Sequence, residues 1–244
     1  MKKINLILLL LIVLSVSKSF SQQINLVGST ARIMREMNLT ASLSLDTLSN
    51  RKHLYAIGAI ENLQGEVLIV NGKPLVAELN QNRQPRWVST WNRNLIFLVS
   101  ANVNSWNKIM LDVPIHNRKE LEAVVFAEAE KLGLDISGGF PFRVKVKADT
   151  IQAHIAFLRP ETIINFSPQG KKQDDFPILL TNEPVRIIGF AGTTAGGRFA
   201  MPAMPGRTAS NMHMHYLKAD ESEAGHIEEL NFQGKWQLCL PMKQ

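Results

Sequence analysis

The sequence predicts a strand-dominated α+β protein with one main helix, and three observations predict it. Short apolar runs separated by turn residues recur from Leu54 onward. One long segment, "NRKELEAVVFAEAEKLG", carries helix signals at both ends. Period-two alternation opens "FRVKVKADTIQAHIAFL". The 244 residues are enough to bury a sizeable core in one large domain or two small ones.

The N-terminus, "MKKINLILLLLIVLSVSKSFS", has two lysines, an unbroken apolar run from Leu6 to Leu14, and small residues at Ser19 and Ser21 around a cleavage point. This pattern predicts an export signal over residues 1–21 and a periplasmic or secreted product. The apolar run is shorter than the roughly 20 residues a spanning helix needs, so no stable membrane insertion is expected. The signal holds three lysines and no acid, so the rest of the chain carries three fewer positive charges than the +6 of the whole. No basic block exceeds "GKK" and no aromatic-basic stripe exists, which gives nucleic-acid binding little electrostatic support.

A β-rich N-terminal subdomain is expected over residues 22–116. In "SLDTLSNRK", Ser44 is placed to cap a brief helical turn. Asn71-Gly72, between "EVLIV" and "KPLVAEL", predicts a hairpin, because a type I′ turn needs positive φ at both central residues. "LIFLVSANV" continues the strands. A helix plus a metal-binding β subdomain is expected over residues 117–244. Asn117 and Glu120 stand at capping-box spacing; Leu121, Val124, Val125 and Leu132 share a face; Gly133 closes the C-terminus. "FRVKVKADTIQAHIAFL" reads as a pair of strands, "VRIIGFAG" as another, and "GTTAGGRFAMPAMPGRTASN" as a loop. The single Cys239 excludes an intrachain disulfide, and its setting in "WQLCLP" predicts an inert buried thiol.

The chemistry concentrates in "NMHMHYLKADESEAGHIEEL". Residues two apart on a strand share a side, so His213 and His215 present two imidazoles to one face while Met212, Met214 and Tyr216 take the other. The polar, Gly225-containing segment that follows folds back naturally as a hairpin and returns His226 beside them. Three histidines with open positions are a usual ligand set for catalytic zinc, which would keep its full double charge and suit an anionic, oxygen-rich substrate. On a strand Glu228 shares the face of His226, whereas Glu229 points away. His53 and His116 lack such company and read as ordinary.

"HMHYLKADESEAGH" resembles the signature of α-acetolactate decarboxylases: HxH, ten residues, H, with an aromatic after the second histidine (Tyr216) and glycine before the third (Gly225). "YAIGAIENLQGEVLIVNGK" and "IIGF" are similar to further stretches of that family, in the same order. The resemblance implies two packed β-sheets of mixed or antiparallel pairing and zinc on His213, His215 and His226. It further implies decarboxylation of 2-acetolactate to acetoin, or action on another small anionic 2-hydroxy-3-keto acid. The metal would stabilise an enediolate, and Glu66 of "QGEV" falls at the family's active-site glutamate. The family's substrate-pairing arginine falls near His154, with Arg159 the alternative if the register slips. The family's further glutamate beyond the third histidine has either Glu228 as its stand-in or none. Arg198 and Arg207 of the loop are further candidates to reach the site, against simple solvation. A homodimer is a candidate assembly.

Two other readings stand beside this one. A non-catalytic metal- or ligand-binding protein on the same fold fits the missing arginine and glutamate. A cupin-type dioxygenase also uses HxH with a carboxylate and a later histidine, but here Asp220 and Glu221 and the early final histidine mismatch its spacing.

Overall fold

The computed structural model describes residues 24–242 apart from 160, 162, 164–166, 168–173 and 207. The expected signal and Arg207 thus lie outside the described residues. No helix among the described residues is long and apolar enough to cross a membrane.

The first sheet is built from β1 (Asn25–Val27), β2 (Leu43–Ser44), β3 (Leu54–Ile60), β4 (Glu66–Val70), β5 (Lys73–Leu79), β6 (Pro85–Val88) and β7 (Asn94–Asn102). Its order is β1-β7-β3-β4-β5-β6, with β2 also on β7. Asn71 and Gly72 turn β4 into β5 with φ of 52° and 77°, the double left-handed geometry of a type I′ hairpin. Ser44 precedes a short 3₁₀ segment, Leu45–Leu48, although its side chain makes no capping bond there. A short helix that the sequence pattern did not signal, α1 (Thr30–Met34), is capped by Ser29, whose side chain accepts from the Arg32 amide.

The second sheet contains β8 (Trp106–Leu111), β9 (Phe140–Ile155), β10 (Phe176–Ala191), β11 (Met212–Lys218), β12 (Ala224–Asn231) and β13 (Trp236–Pro241). Its order is β10-β11-β12-β9-β13-β8, and a further β9–β10 pairing closes the first four strands into a ring. Strand pairing is antiparallel throughout both sheets. "FRVKVKADTIQAHIAFL", expected as two strands, is largely one: β9 runs 16 residues and pairs with the equally long β10 along its length. The expectation failed because the burial phase slips, Val144, Val146 and Ala148 being buried, then Ile151 and Ala153. The slip marks a change of neighbour, from β13 at Arg143–Lys145 to β12 at Thr150–His154, rather than a turn.

Helix α2 (Arg118–Lys131) covers the ring. Asn117 Oδ1 accepts from the Glu120 amide, and Glu120 accepts in return from the His116 amide and Asn117 Nδ2. Gly133, at φ 64°, ends the helix. Leu121, Val125 and Ala129, one row of the helix, pack with Val144, Ile187, Met214 and Leu238. A second core joins the sheets through Ile57, Phe97 and Val99 on one side and Ile188, Phe190 and Leu217 on the other. Cys239 is buried, and burial pushes its thiol pKa up, consistent with an inert residue.

One buried charge braces the edge of the first sheet. Glu78 accepts two hydrogen bonds from Arg93, at 2.9 and 2.8 Å, and pairs with Arg86. Burial alone would raise its pKa, but the hydrogen bonds and charges of Arg93 and Arg86 outweigh burial and hold it below the usual 4.5. A depressed carboxylate contributes stability that is present above its unfolded pKa and lost as pH falls through the folded one. Glu78→Gln is therefore expected to cost about 2 kcal/mol at pH 7, because the arginines left behind are partly exposed. Urea titrations from pH 7 to pH 3 should show the gap between parent and variant shrinking as the pH falls.

Candidate metal centre

The reversal from β11 to β12 spans five residues. Asp220 accepts from the amide and hydroxyl of Ser222, Glu221 takes the left-handed φ of 63°, and Lys218 pairs with Glu223 at 2.8 Å. This turn sets the register His215↔His226, Tyr216↔Gly225 and Leu217↔Ala224. His226 in turn lies opposite His154 on β9, so three imidazoles form a row across three strands. His213 sits two residues before His215 on the same face. The candidate ligand nitrogens of His213, His215 and His226 all lie within 4.8 Å of one another.

His213 and His215 are buried and His226 is partly so, and all three imidazoles are held neutral. Burial, only partly opposed by the Phe199 carbonyl, lowers the His213 pKa to about 4. Burial and then the neighbouring imidazoles push His215 and His226 well below the usual 6.5. A carbonyl only accepts, so Phe199 O, 2.7 Å from His213 Nδ1, fixes the proton there and leaves Nε2 as the lone-pair nitrogen facing the centre. That Nε2 lies 3.0 Å from His226 Nδ1. Nitrogens bound tetrahedrally at about 2.0–2.1 Å would stand about 3.4 Å apart, within the range these rings span. Neutral, converging imidazoles with no cysteine among them fit a zinc-type ion with open positions.

Glu66, from the start of β4, is the contribution of the first sheet. It is 6% exposed, with Oε2 at 3.6 Å from His215 Nε2 and Oε1 at 3.8 Å from His154 Nε2. His154 also stands 3.7 Å from Asp175 and 3.3 Å, through Nδ1, from Glu228. Glu228 lines the cavity on the face of His226, as strand alternation expects, and a bulge between Ile227 and Glu229 interrupts the β12–β9 register there. Glu229, expected to point away, accepts from the Arg118 amide at the start of α2. Phe97 stacks on His213 with centroids 5.7 Å apart, and Ile33, Met34, Leu63 and Met201 complete an apolar wall around a cavity of about 90 Å³.

The arginines sort clearly. Arg159 stands away from this cavity, bound to Asp174 at 2.5 Å and near Glu161. Arg198 donates to Thr194 and lies over the Phe199 ring, also outside the cavity lining. The guanidinium that does line the cavity is Arg118, which donates to Ser210 Oγ at 2.6 Å and to the Met212 carbonyl. Its charge helps depress the pKa of His213 and His226. Sequence reasoning missed Arg118 because its local signal is only that of a first-turn helical residue; the contacts that aim it come from residues about 90 positions away. Asp175 gave no signal either. His53 and His116 lie elsewhere and are exposed.

No family model and no curated protein matches the chain. Solved structures do. The α-acetolactate decarboxylase of Bacillus subtilis strain 168 superposes with a TM-score of 0.69 at 15% identity, covering 91% of this chain and 86% of its own. The acetolactate decarboxylase of Bacillus subtilis subspecies spizizenii gives 0.67 at 16%, over 90% and 86%. A Staphylococcus aureus protein of unknown function, described as similar to alpha-acetolactate decarboxylase, gives 0.64 at 11%, over 90% and 85%. The fold is therefore acetolactate-decarboxylase-like.

Gly225 holds the register around the centre. A Cβ there would lie 3.0 Å from both the His154 carbonyl and Tyr216 Cε1. Gly225→Ala is expected to cost about 1–3 kcal/mol through overpacking, measurable by denaturant unfolding.

Proposed function

We propose that the chain is a zinc-dependent decarboxylase of the acetolactate type, acting on a small anionic 2-hydroxy-3-keto acid. The observation that supports it is the convergence of three neutral imidazoles, two of them buried and the third partly so, and Glu66 on one small cavity of an acetolactate-decarboxylase-like fold. His213, His215 and His226 would hold the ion. When bound, the ion supplies Lewis-acid stabilisation of the negative charge that develops as carbon dioxide leaves.

The remaining work falls to the chain. Arg118, whose charge is felt at the triad, attracts the substrate carboxylate. Glu66 holds the proton that returns to carbon. Of the two glutamates lining the cavity it is the buried one, whereas the Glu228 side chain is 43% exposed. His154 sits among Glu66, Asp175 and Glu228 and keeps those carboxylates oriented about the cavity. The wall of Ile33, Leu63 and Phe97 excludes water, so the carbanion-like species meets the protein's own acid first. A second reading, a metal-binding protein without catalysis, draws on the same His154 cluster, which sets three carboxylates where an anionic substrate would approach.

The purified protein should contain close to one equivalent of zinc by elemental analysis, and His213→Ala or His226→Ala should abolish that content. Zinc retained in both variants would refute the ligand set. Incubation of the zinc form with racemic acetolactate should release acetoin above the uncatalysed rate. Glu66→Gln should then lower kcat about 10²–10⁴-fold, the usual scale for a lost general acid, while Arg118→Met raises KM. Stoichiometric zinc without acetoin would favour the binding protein.

A further inference from the structure

The face of the second sheet that carries the histidines is covered by the first sheet only in part. On β9, Val144 and Val146 point into the core under α2, so Arg143, Lys145 and Lys147 share the opposite, outer face. On β10 that same face continues from Ile188, packed between the sheets, to Arg186. Where coverage stops, the face becomes a trough of about 740 Å³ containing Lys108, Arg143, Lys145, Lys147, Arg186 and Lys235. The one acid lining it, Glu221, is already paired with Arg186 at 2.6 Å. Among the described residues the four lysines form no ion pair.

The cations form a lattice that strand geometry dictates. Arg143, Lys145 and Lys147 repeat about every 6.7 Å along one strand, and neighbouring strands stand about 4.8 Å apart. The register sets Lys145 beside Arg186 and Lys108 two strands from Arg143, across Cys239. Six cations stand against the single carboxylate of Glu221, so the excess charges repel one another, a cost that a multiply charged anion lying against them would offset. They also exclude a second copy of this face as the occupant.

We propose that this trough docks a linear acidic polysaccharide. A polymer can lie along a trough and meet cations from three strands and from Lys235 just before β13, whereas a flat bilayer touches only the rim. Nucleic acid is disfavoured by the rings. Arg143 already lies over Tyr55 and Trp106, at 5.6 and 5.1 Å, and donates to the Tyr55 hydroxyl, and Trp236 is 1% exposed, so no aromatic face is offered for base stacking. Lysines predominate, and their compact charges on flexible stems can follow carboxylates spaced along a sugar chain.

The test uses the full chain and fluorescently labelled polygalacturonate. Binding is expected at low ionic strength and should weaken steadily as salt rises. The double variant Lys145→Glu/Lys147→Glu should bind roughly tenfold or more weakly, the scale of losing two charge contacts to an anionic partner. Its far-ultraviolet circular dichroism and zinc content should match the parent. Lys108→Glu/Lys235→Glu, on β8 and in the turn before β13, should act in the same direction. No binding to polygalacturonate, or equal binding by both variants, overturns the proposal. Duplex DNA or vesicles with 30% anionic lipid binding more tightly at the same salt overturns the choice of polysaccharide and assigns the trough to that class instead.

Discussion

A slip of one residue between β11 and β12 would turn every side chain of the hairpin to the opposite face, and the centre would not exist. What prevents the slip is packing on the other side. Met212, Met214 and Tyr216 are fully buried within the ring of β9 to β12, with Ile227 and Leu230 beside them. Exposing such side chains costs about 1.5–3 kcal/mol each, far more than any hydrogen-bond rearrangement in the turn could return. The core thus enforces the register, and the register aims the histidines. The polar residues of the turn add only the local geometry that lets β12 begin where it must.

The first sheet does for the cavity what the hairpin alone cannot. It brings one buried carboxylate, one aromatic plane against His213, and apolar cover. A buried imidazole loses the solvation that would favour its charged form, and all three histidines are pushed toward neutrality by this cause before any other. Neutral imidazole is the form that lends a lone pair. Burial by the first sheet and the loop carrying Phe199 is therefore part of the ligand chemistry, and not merely shelter.

Features with a short physical range were readable from residues alone. The His213–His215 pair follows from a two-residue period, the return of His226 from a hairpin-length polar gap, the Asn71-Gly72 turn from its need for positive φ, and α2 from its caps. Glu66 was another matter: as a residue it is an ordinary charge at a strand start, and only the resemblance singled it out. The position of Arg118, Asp175 and the Phe199 carbonyl depends on pairings between elements far apart in sequence, which no local pattern encodes. Arg159 illustrates the same limit from the other side, since Asp174, fifteen residues later, binds it outside the cavity. Length misled once, at β9, because alternation whose phase slips midway looks like two strands when it is one strand with two successive neighbours.

Charge patterning shows most clearly why sequence and surface can disagree. In the linear text the cations are interspersed with apolar residues, and the absence of any long basic block gave nucleic-acid binding little electrostatic support. A strand, however, sends every second residue to the same side, so "RVKVK" hides its valines and sums its cations on one face. Antiparallel pairing then sets Arg186 of β10 and Lys108 of β8 on that side as well, from positions more than 70 residues apart. Charges that never form a run in sequence become neighbours in space. The first sheet reaches Arg143 through Tyr55 and goes no further, since desolvating the four lysines, which form no ion pair among the described residues, would cost more than the added apolar burial could offset. The border of the interface between the sheets therefore falls at Arg143, where the face turns from apolar to charged.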